Sequence, residues 1–412
     1  MGRGICFVRG DVIRLEIDNG SFKKGEKTVK KQNVMCVAMV MIIALSVLMA
    51  SQTKADPGNA IPAQVQALKI AVEALTAQVN SLQAQMNALR NQNAFLSQHV
   101  FVSNAAMNGL TGPHIIFSGV NLHIQDGSGF TITPGSVCHP PDPCANLSGL
   151  GNLVIGYNEQ RVNADGAPAP TLRTGSHNLI LGMGQQYAGI GGIVAGYNNS
   201  IFTLFGSVTG GNNNTASGQY ASVSGGENNT ASGDYSSVSG GSNNTASGVE
   251  ASVGGGIGNT AQGDNSSVSG GESNIASGLN SSVSGGDNNK ASGYRASVSG
   301  GNFNEASGLE ASISAGDSNI ASGQGSSVSG GSINIAAGDR ASVTGGQYNI
   351  ADSGFAATVC GGGYNSAYGK YSTVTGGLGN EATGEDSSIS GGYNHTVSGQ
   401  YNWAGGSLFE SQ

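Results

Sequence analysis

The sequence has few of the residues from which large hydrophobic cores and catalytic sites are built. Aromatic residues make up 6% and charged residues 10% of its 412 residues, and it has one Trp. With 17 basic against 25 acidic residues, the chain lacks a surface that neutralises phosphates, so we expect no nucleic-acid partner. Its acidic residues form no recurring pair, and it has no calcium-binding or phosphate-binding repeat. We therefore expect neither enzymatic activity nor a cofactor.

What the sequence has in abundance is glycine, with 69 residues, together with serine and asparagine. Without periodicity this bias would indicate disorder. Over residues 207–406, however, the pattern recurs with a step of 15 residues, and an aliphatic residue such as Val208, Val223 or Val238 marks each unit. Short Ser-Val-Ser and Thr-Ala-Ser strands between Gly turns predict an all-β solenoid, a parallel β-roll with about 15 residues per coil.

A row of asparagines stands six residues after these aliphatic anchors. One coil buries too little apolar surface to offset the ordering of its own backbone. We therefore predict a structural ladder in which each buried amide bonds to the next coil, as stacked Asn does in cross-β structures. The predicted ladder consists of Asn214, Asn229, Asn244, Asn259, Asn274, Asn289, Asn304, Asn319, Asn334 and Asn349.

Variation is concentrated in two residues of each unit, just before the small residue that precedes the Ser-Val-Ser strand. We expect these residues at exposed turns. If the solenoid binds a ligand, their side chains are the expected contacts; the alternative is that solvated corners simply tolerate change. The candidate binding residues are Tyr220, Tyr235, Tyr294, Arg295, Arg340 and Tyr371.

Two less regular segments precede the repeat. Residues 151–206 are expected to form irregular coils that cap the solenoid, with Leu153, Leu179 and Ile193 aligned with Val208. Residues 101–150 are expected to form a transition of short strands, mainly over residues 113–132. Within this segment a Pro-rich loop lies between two cysteines that form a candidate disulfide in an oxidising compartment, Cys138 and Cys144.

Residues 61–100 follow a period of seven instead. One apolar row is mostly β-branched and the other is Leu throughout, the pattern of a coiled-coil seam. We expect this segment to assemble a homo-oligomer, a dimer or a trimer; the alternative is a single amphipathic helix packed on the downstream domain. The first seam row is Val65, Val72, Val79, Met86 and Asn93, and the second is Leu68, Leu75, Leu82, Leu89 and Leu96.

Residues 1–55 predict an extended signal peptide or an N-terminal anchor. A lysine cluster precedes an apolar run from Val34 to Ala50, and small residues follow up to Ala55, where cleavage is expected. If the run is not cleaved, it lies at the lower limit of a membrane-spanning length. In both cases we expect an extracellular or cell-surface protein.

The repeat SVSGG-x-x-N-x-ASG-x-x resembles the head repeats of trimeric autotransporter adhesins of the YadA type, whose units read approximately SVAIG-x-x-A-x-A-x-G. The similarity covers residues 150–406. It implies a bacterial, left-handed β-roll that assembles as a trimer and binds host matrix or other surfaces.

The chain also departs from that family. The Ile of SVAIG remains only as Ile155 and Leu181, and Gly occupies that place in later coils, as at Gly210. The unit of 15 residues is longer, and the seven-residue period precedes the repeats instead of following them. We expect no terminal membrane strands after residue 406, so the resemblance does not imply self-anchoring in an outer membrane.

The pattern therefore favours a secreted or surface-displayed adhesive or structural rod that binds surfaces through exposed turns. A second interpretation is an ice-binding or crystal-binding solenoid, because Ser and Thr form regular rows. The least favoured is a carbohydrate-active β-helix enzyme, which needs longer coils and clustered carboxylates.

Overall fold

The computed structural model describes residues 6–8, 11–13, 60–106, 110–125, 149–161, 167–169, 171–353, 355–406 and 408–410. The chain divides into two units, Met1–Leu122 and His123–Gln412. The apolar run of the predicted signal peptide and the candidate disulfide Cys138–Cys144 lie outside the described residues.

The described residues of the first unit form two short hairpins and one helix. Strands β1 (Cys6–Val8) and β2 (Asp11–Ile13) pair antiparallel. Helix α1 runs from Ala60 to His99, and its only helix breaker, Pro62, lies in the first turn, where no intrahelical donor is lost. Among the described residues, no helix has the length and hydropathy that a membrane span requires.

The two apolar rows of α1 are exposed to solvent within the single chain. Seam residues from both rows are about half exposed, for example Val65 at 60% and Leu82 at 48%. The structure therefore contains the predicted helix, while its pairing into a coiled coil stays a prediction.

A second hairpin follows the helix without a linker. Strand β3 (Val100–Ser103) pairs antiparallel with β4 (His114–Phe117). The predicted short strands over residues 113–132 are thus limited, in the described part, to β4, since residues 118–125 form no strand.

The second unit is a solenoid. Its first strands are β5 (Leu153–Ile155), β6 (Leu179–Met183), β7 (Gln186–Tyr187), β8 (Ile193–Tyr197), β9 (Ser200–Ile201), β10 (Ser207–Val208), β11 (Thr215–Ala216), β12 (Ser222–Val223), β13 (Thr230–Ala231), β14 (Ser237–Val238), β15 (Thr245–Ala246), β16 (Ser252–Val253), β17 (Thr260–Ala261), β18 (Ser267–Val268), β19 (Ile275–Ala276) and β20 (Ser282–Val283).

The remaining strands are β21 (Lys290–Ala291), β22 (Ser297–Val298), β23 (Glu305–Ala306), β24 (Ser312–Ile313), β25 (Ile320–Ala321), β26 (Ser327–Val328), β27 (Ile335–Ala336), β28 (Ser342–Val343), β29 (Ile350–Ala351), β30 (Thr358–Val359), β31 (Ser366–Ala367), β32 (Thr373–Val374), β33 (Glu381–Ala382), β34 (Ser388–Ile389), β35 (Thr396–Val397), β36 (Trp403–Gly405) and β37 (Leu408–Glu410).

Two parallel sheets run along the second unit, which confirms the predicted β-solenoid. The first sheet contains β5, β6, β8 and then every even-numbered strand from β10 to β36, and β37 pairs antiparallel with β36. The second sheet contains the 15 odd-numbered strands from β7 to β35. Partners in the regular part are one unit apart, as Val208 and Val223 are. A third ladder of single bridges, such as Asn212 with Glu227, was not predicted.

The solenoid interior is a stack of identical rows. From β10 to β34, the Val or Ile of each first-sheet strand, the Ala of each second-sheet strand and the ladder Asn are all buried. A fourth buried row, which was not predicted, consists of the small residue, either Ala or Ser, before each first-sheet strand from β12 to β34, as at Ala221 and Ser236. This row fills the corner between two neighbouring faces, where only a small side chain fits.

The predicted alignment of the first coils is wrong by one residue. The structure pairs Ile193 with Ser207 and Val194 with Val208, so Val194 is buried and Ile193 is 38% exposed. A shift of one residue exchanges the two faces of a strand. The register of Ile155 and Leu181 therefore continues to Ala195, and Gly210 is not their equivalent.

Two glycine rows hold the coils at their close spacing. Gly226 has a φ of 84°, a left-handed conformation that most residues avoid. At Gly233 the backbone is not left-handed, but an added Cβ would overlap the carbonyl oxygen of Gly248 in the next coil. The first row is needed for its conformation and, like the second, for its lack of a side chain, because a Cβ at Gly226 would overlap the carbonyl oxygen of Gly241.

Candidate interaction surface

The candidate binding residues lie on one exposed corner of the solenoid, which we call the corner row. Its backbone is left-handed at Tyr220, Tyr235, Arg295, Arg340 and Tyr371, with φ between 55° and 59°. The side chains of the three tyrosines are 44–57% exposed. The sixth candidate, Tyr294, precedes the left-handed residue of its coil and is 37% exposed.

The left-handed corner is bonded to the preceding coil. The N–H groups of Ser222 and Ser224, on either side of Val223, donate forward to the next coil, whereas the N–H of Tyr235 donates backward to the carbonyl of Gln219 at 2.7 Å. The positive φ of Tyr235 is costly for a residue with a Cβ. The backward bond compensates that cost and fixes where the corner side chain points.

Three aromatic rings stack at the beginning of the corner row. Tyr220 and Tyr235 are parallel with centroids 4.9 Å apart, and Phe205 stacks on Tyr220 at 5.4 Å. Sequence reasoning missed Phe205, although it stands one unit before Tyr220 in the sequence.

A second group lies four coils further along. The Arg295 guanidinium lies 4.9 Å from the ring centroid of Tyr294 and 3.5 Å from the Glu310 carboxylate in the next coil. Both partners of this ion pair are more than half exposed, so it contributes little to stability.

A third group surrounds the unit that contains one extra residue. Arg340 lies 5.0 Å from the ring of Phe355, which meets Tyr371 edge to face at 5.7 Å. Lys370 lies 5.0 Å from the Tyr371 ring and 3.8 Å from Glu385. Phe355 was not among the predicted contacts; it stands at the same unit position as Lys370, which is the signal that would have identified it.

The structure thus brings the candidate residues together in three groups and does not join the groups. At roughly 4.8 Å per coil, Tyr235 and Arg295 are about 20 Å apart and Arg295 and Arg340 about 15 Å. Each group offers ring edges and Tyr hydroxyls, and the second and third groups add a few charges, which suit binding.

The asparagine row forms a continuous set of bonds inside the solenoid. The Nδ2 of Asn304 lies within hydrogen-bonding distance of the carbonyls of Gly300 and Gly316, at 3.0 and 2.9 Å, and of Asn289 Oδ1 at 3.0 Å. Its own Oδ1 accepts the backbone N–H of Asn319 at 3.0 Å. Every coil is thereby bonded through a side chain to the coils on both sides.

The bonding differs in kind from the predicted amide-to-amide ladder. In the described row, direct bonds between amides join only Asn289, Asn304, Asn319 and Asn334; elsewhere each amide bonds to backbone groups. The Gly carbonyls fall between successive amides and accept their donors. The amides therefore form hydrogen bonds with backbone groups at the corners, the Gly carbonyls and the Asn N–H, that lie outside the paired strands.

The row extends beyond the predicted residues at both ends. Gln185 Oε1 accepts the N–H of Asn199 at 2.9 Å, and Asn199 Oδ1 accepts that of Asn214 at 2.7 Å. At the other end Asn380 Oδ1 accepts the N–H of His395 at 3.0 Å. Gln185 stands 14 residues before Asn199, one fewer than the regular spacing, whereas Asn199 stands the regular 15 residues before Asn214.

A second surface, the outward side of the first sheet, carries no charge. The residues before and after each buried Val are Ser or Thr from Ser207 to Ser390, apart from Gly254 and Cys360. We call this surface the hydroxyl face. Charges instead lie on the corners and on the second sheet, for example Lys290 and Glu305, which are 2.9 Å apart.

The described residues contain no group of three or more His, Cys, Asp and Glu that could hold a metal ion. One pKa is displaced among them, that of the Arg161 guanidinium, which burial lowers. Arg161 donates to Ser200 Oγ at 3.2 Å, which ties the irregular first coils together.

No model of a known protein family matches the chain, and no curated protein is significantly similar to it.

Proposed function

We propose that this protein is a secreted or surface-displayed rod that adheres to surfaces through its corner row. One observation carries the proposal: the buried rows repeat one small set of residues, whereas the corner row varies and holds its varied side chains in one fixed, exposed conformation. A scaffold with a constant interior and a varied surface is suited to display.

The arrangement of the corner row supports adhesion rather than catalysis. Exposed Tyr rings and Arg side chains are the residues that most often dominate binding energy at interfaces. Their separation into groups about 15–20 Å apart would give several weak contacts along one rod, and these would add through avidity.

We further propose that α1 assembles the chain as a homo-oligomer, a dimer or a trimer. The two exposed apolar rows of the helix support this, because apolar seams of this spacing are normally buried by a partner helix. Several rods held side by side would multiply the contacts of each.

The test is binding of the full chain to immobilised matrix proteins, polysaccharides and intact cells. We expect the double variant Tyr220→Asn, Tyr235→Asn to lose at least tenfold in binding, because it removes the ring stack. Asn is already present in this left-handed row at Asn265 and Asn280, so the backbone should tolerate it.

The matched control is Ser224→Ala, Ser239→Ala, which alters the same two coils on the hydroxyl face. Its binding should equal that of the parent. Equal losses in both variants would contradict binding through the corner row, and absence of binding by the parent to every surface would leave a structural role alone.

The hydroxyl face favours a second candidate, an ice-binding or crystal-binding solenoid. An uncharged plane with an in-register hydroxyl row such as Ser222, Ser237 and Ser252 has the regularity of a lattice surface. Here Ser269→Tyr should abolish thermal hysteresis while Tyr235→Asn preserves it. Zero thermal hysteresis in the parent would dispose of this candidate for ice.

A further inference from the structure

The hairpin of β3 and β4 has one wholly apolar face that is open to solvent. Val100 pairs with Phe117 and Val102 with Ile115, and directly opposed residues share a face of a sheet. Val102 is 71% exposed, Ile115 67% and Phe117 51%. We call these four residues the apolar hairpin face.

The opposite face of the hairpin is mixed. It pairs Phe101 with Ile116 and Ser103 with His114. The two faces therefore differ in the way that the inner and outer faces of a sheet do, although this sheet has only two strands. Because an isolated two-stranded hairpin is at best marginally stable in water, the apolar hairpin face needs a partner surface.

The hairpin is fixed to the end of the helix. The N–H of Ser118 donates to the carbonyl of His99 at 2.8 Å, and the His99 imidazole Nδ1 bonds the Ser118 carbonyl at 2.8 Å. Phe95 packs on the same imidazole with ring centroids 4.7 Å apart. Movement of the helix therefore carries the hairpin with it.

The apolar row of the helix also leads into the hairpin. Val100, the first residue of β3, follows Asn93 of the first seam row by seven residues, so the seven-residue period of the helix reaches the hairpin in the sequence. In a parallel bundle, helices lie about 10 Å apart, so every copy would place its hairpin beside that of its neighbour.

We propose that the apolar hairpin face is an interface between copies of this chain. Hairpins of two or more copies pack these faces together at the C-terminal end of the helical bundle and form a small shared β-core. The occupant is a second copy because helix association places the same uncharged apolar face next to itself, which is a self-complementary contact. The proposal rests on the homo-oligomer proposed above.

The test is disulfide trapping in the full chain, with linked peptides identified by mass spectrometry so that native cysteines do not interfere. We expect Val102→Cys to form a disulfide between two copies of the substituted position under mild oxidation. The matched control is Ser103→Cys, the neighbouring residue on the opposite face, which should cross-link at least tenfold less. Leu96→Cys, in the helix seam, reports on helix association itself.

These variants separate the two proposals. Cross-linking at Leu96 without cross-linking at Val102 would overturn the hairpin interface and leave the homo-oligomer. Failure at both positions would overturn both, and equal cross-linking of Val102→Cys and Ser103→Cys would overturn a contact through one face. A monomeric parent in which Val102→Cys resists a thiol reagent would mean that something other than a second copy covers the face, which also overturns it.

A second measurement does not depend on cysteine chemistry. Val102→Ser should raise the dissociation constant of the oligomer about tenfold or more, since a buried Val side chain is lost from every copy. Ser103→Ala should leave it unchanged. An unchanged dissociation constant in Val102→Ser would contradict the interface.

Discussion

In helix α1 the five seam leucines are 42–62% exposed, whereas in the solenoid the Val of each regular first-sheet strand is 0 or 1% exposed. Both regions repeat a short period that places apolar residues in rows. They differ in what covers those rows. A coil of the solenoid stacks on the next coil of the same chain, which covers its apolar residues. The seam leucines of the helix stay exposed within the single chain.

The difference shows what each region requires. The solenoid obtains its stability from backbone and Asn bonds between coils, because each coil contributes only small apolar side chains. The helix has all its backbone bonds internally but no cover for its apolar rows. One region should therefore fold alone, and the other should depend on association.

The largest expected effect is a break of the helix seam. Leu75→Asn together with Leu82→Asn should raise the dissociation constant of the oligomer by at least about 100-fold, because two buried Leu side chains contribute roughly 3 kcal/mol or more per chain. Sedimentation velocity measures the change. The β-sheet signal of the solenoid in circular dichroism should be unaffected.

The control is Ile70→Asn on the same helix. Ile70 is 59% exposed in the single chain, nearly the same as Leu68 at 62%, but it lies outside both seam rows. It should leave the oligomer intact. If Ile70→Asn and the seam variant dissociate it equally, the helix does not associate through the predicted rows.

The solenoid should instead be broken by a single methyl group. Gly233→Ala should lower the free energy of unfolding by about 3 kcal/mol or more, because its Cβ would overlap the backbone of Gly248. Gly225→Ala, eight residues earlier, adds a Cβ with no heavy atom nearby, and Ala315 already occupies that row. Thermal unfolding that changes equally in both variants would contradict the steric argument.

The fold of the regular units could be predicted from the sequence because the same residue types recur at the same positions of every unit. Asn214 and Ala216 recur at fixed spacing, which identifies them as inward-facing without any structure. The same spacing identified the corner row, where side chains vary and the backbone does not.

The first coils could not be aligned in this way. Leu179, Ile180 and Leu181 are consecutive apolar residues, so no alternation tells which of them faces inward. Pairing with Val194 and Val208 decides the register, and that pairing depends on the whole stack. The left-handed corners were also beyond sequence reasoning, because Tyr and Arg rarely adopt that conformation.

A smaller effect tests the side-chain bonds between coils. Asn304→Ala should lower the free energy of unfolding by about 2–3 kcal/mol, because the carbonyls of Gly300 and Gly316 lose a donor and the N–H of Asn319 loses its acceptor. Asn302→Ala, two residues away on the exposed surface, should change it by less than about 0.5 kcal/mol. Chemical denaturation compares the two.

Asp264 would be a poorer control than Asn302, because it also bonds between coils by accepting the N–H of Val249 at 2.9 Å. Equal small losses in Asn304→Ala and Asn302→Ala would mean that strand pairing alone holds the coils together. The stability of the solenoid without a partner chain would then come from strand pairing between coils and not from the Asn row.

The smallest expected effect is a gain in stability. In the fourth buried row the hydroxyls of Ser236, Ser266 and Ser281 have no hydrogen-bond partner among the described residues, whereas Ala251 fills the same place in another coil. Ser266→Ala should therefore raise the free energy of unfolding by about 1 kcal/mol, since a desolvated hydroxyl is removed without leaving a cavity larger than the neighbouring coils already accommodate.

The control is Ser387→Ala in the same row. The Ser387 hydroxyl donates to the carbonyl of Gly384 at 2.7 Å, so its removal should cost about 1 kcal/mol where Ser266→Ala gains. Opposite signs at two chemically identical substitutions would show that the interior of this solenoid is governed by polar satisfaction as much as by apolar burial. If both substitutions lower the free energy of unfolding, the hydroxyl of Ser266 has a hydrogen-bond partner in solution. The comparison with the helix would then rest on apolar burial alone, which the solenoid achieves within one chain.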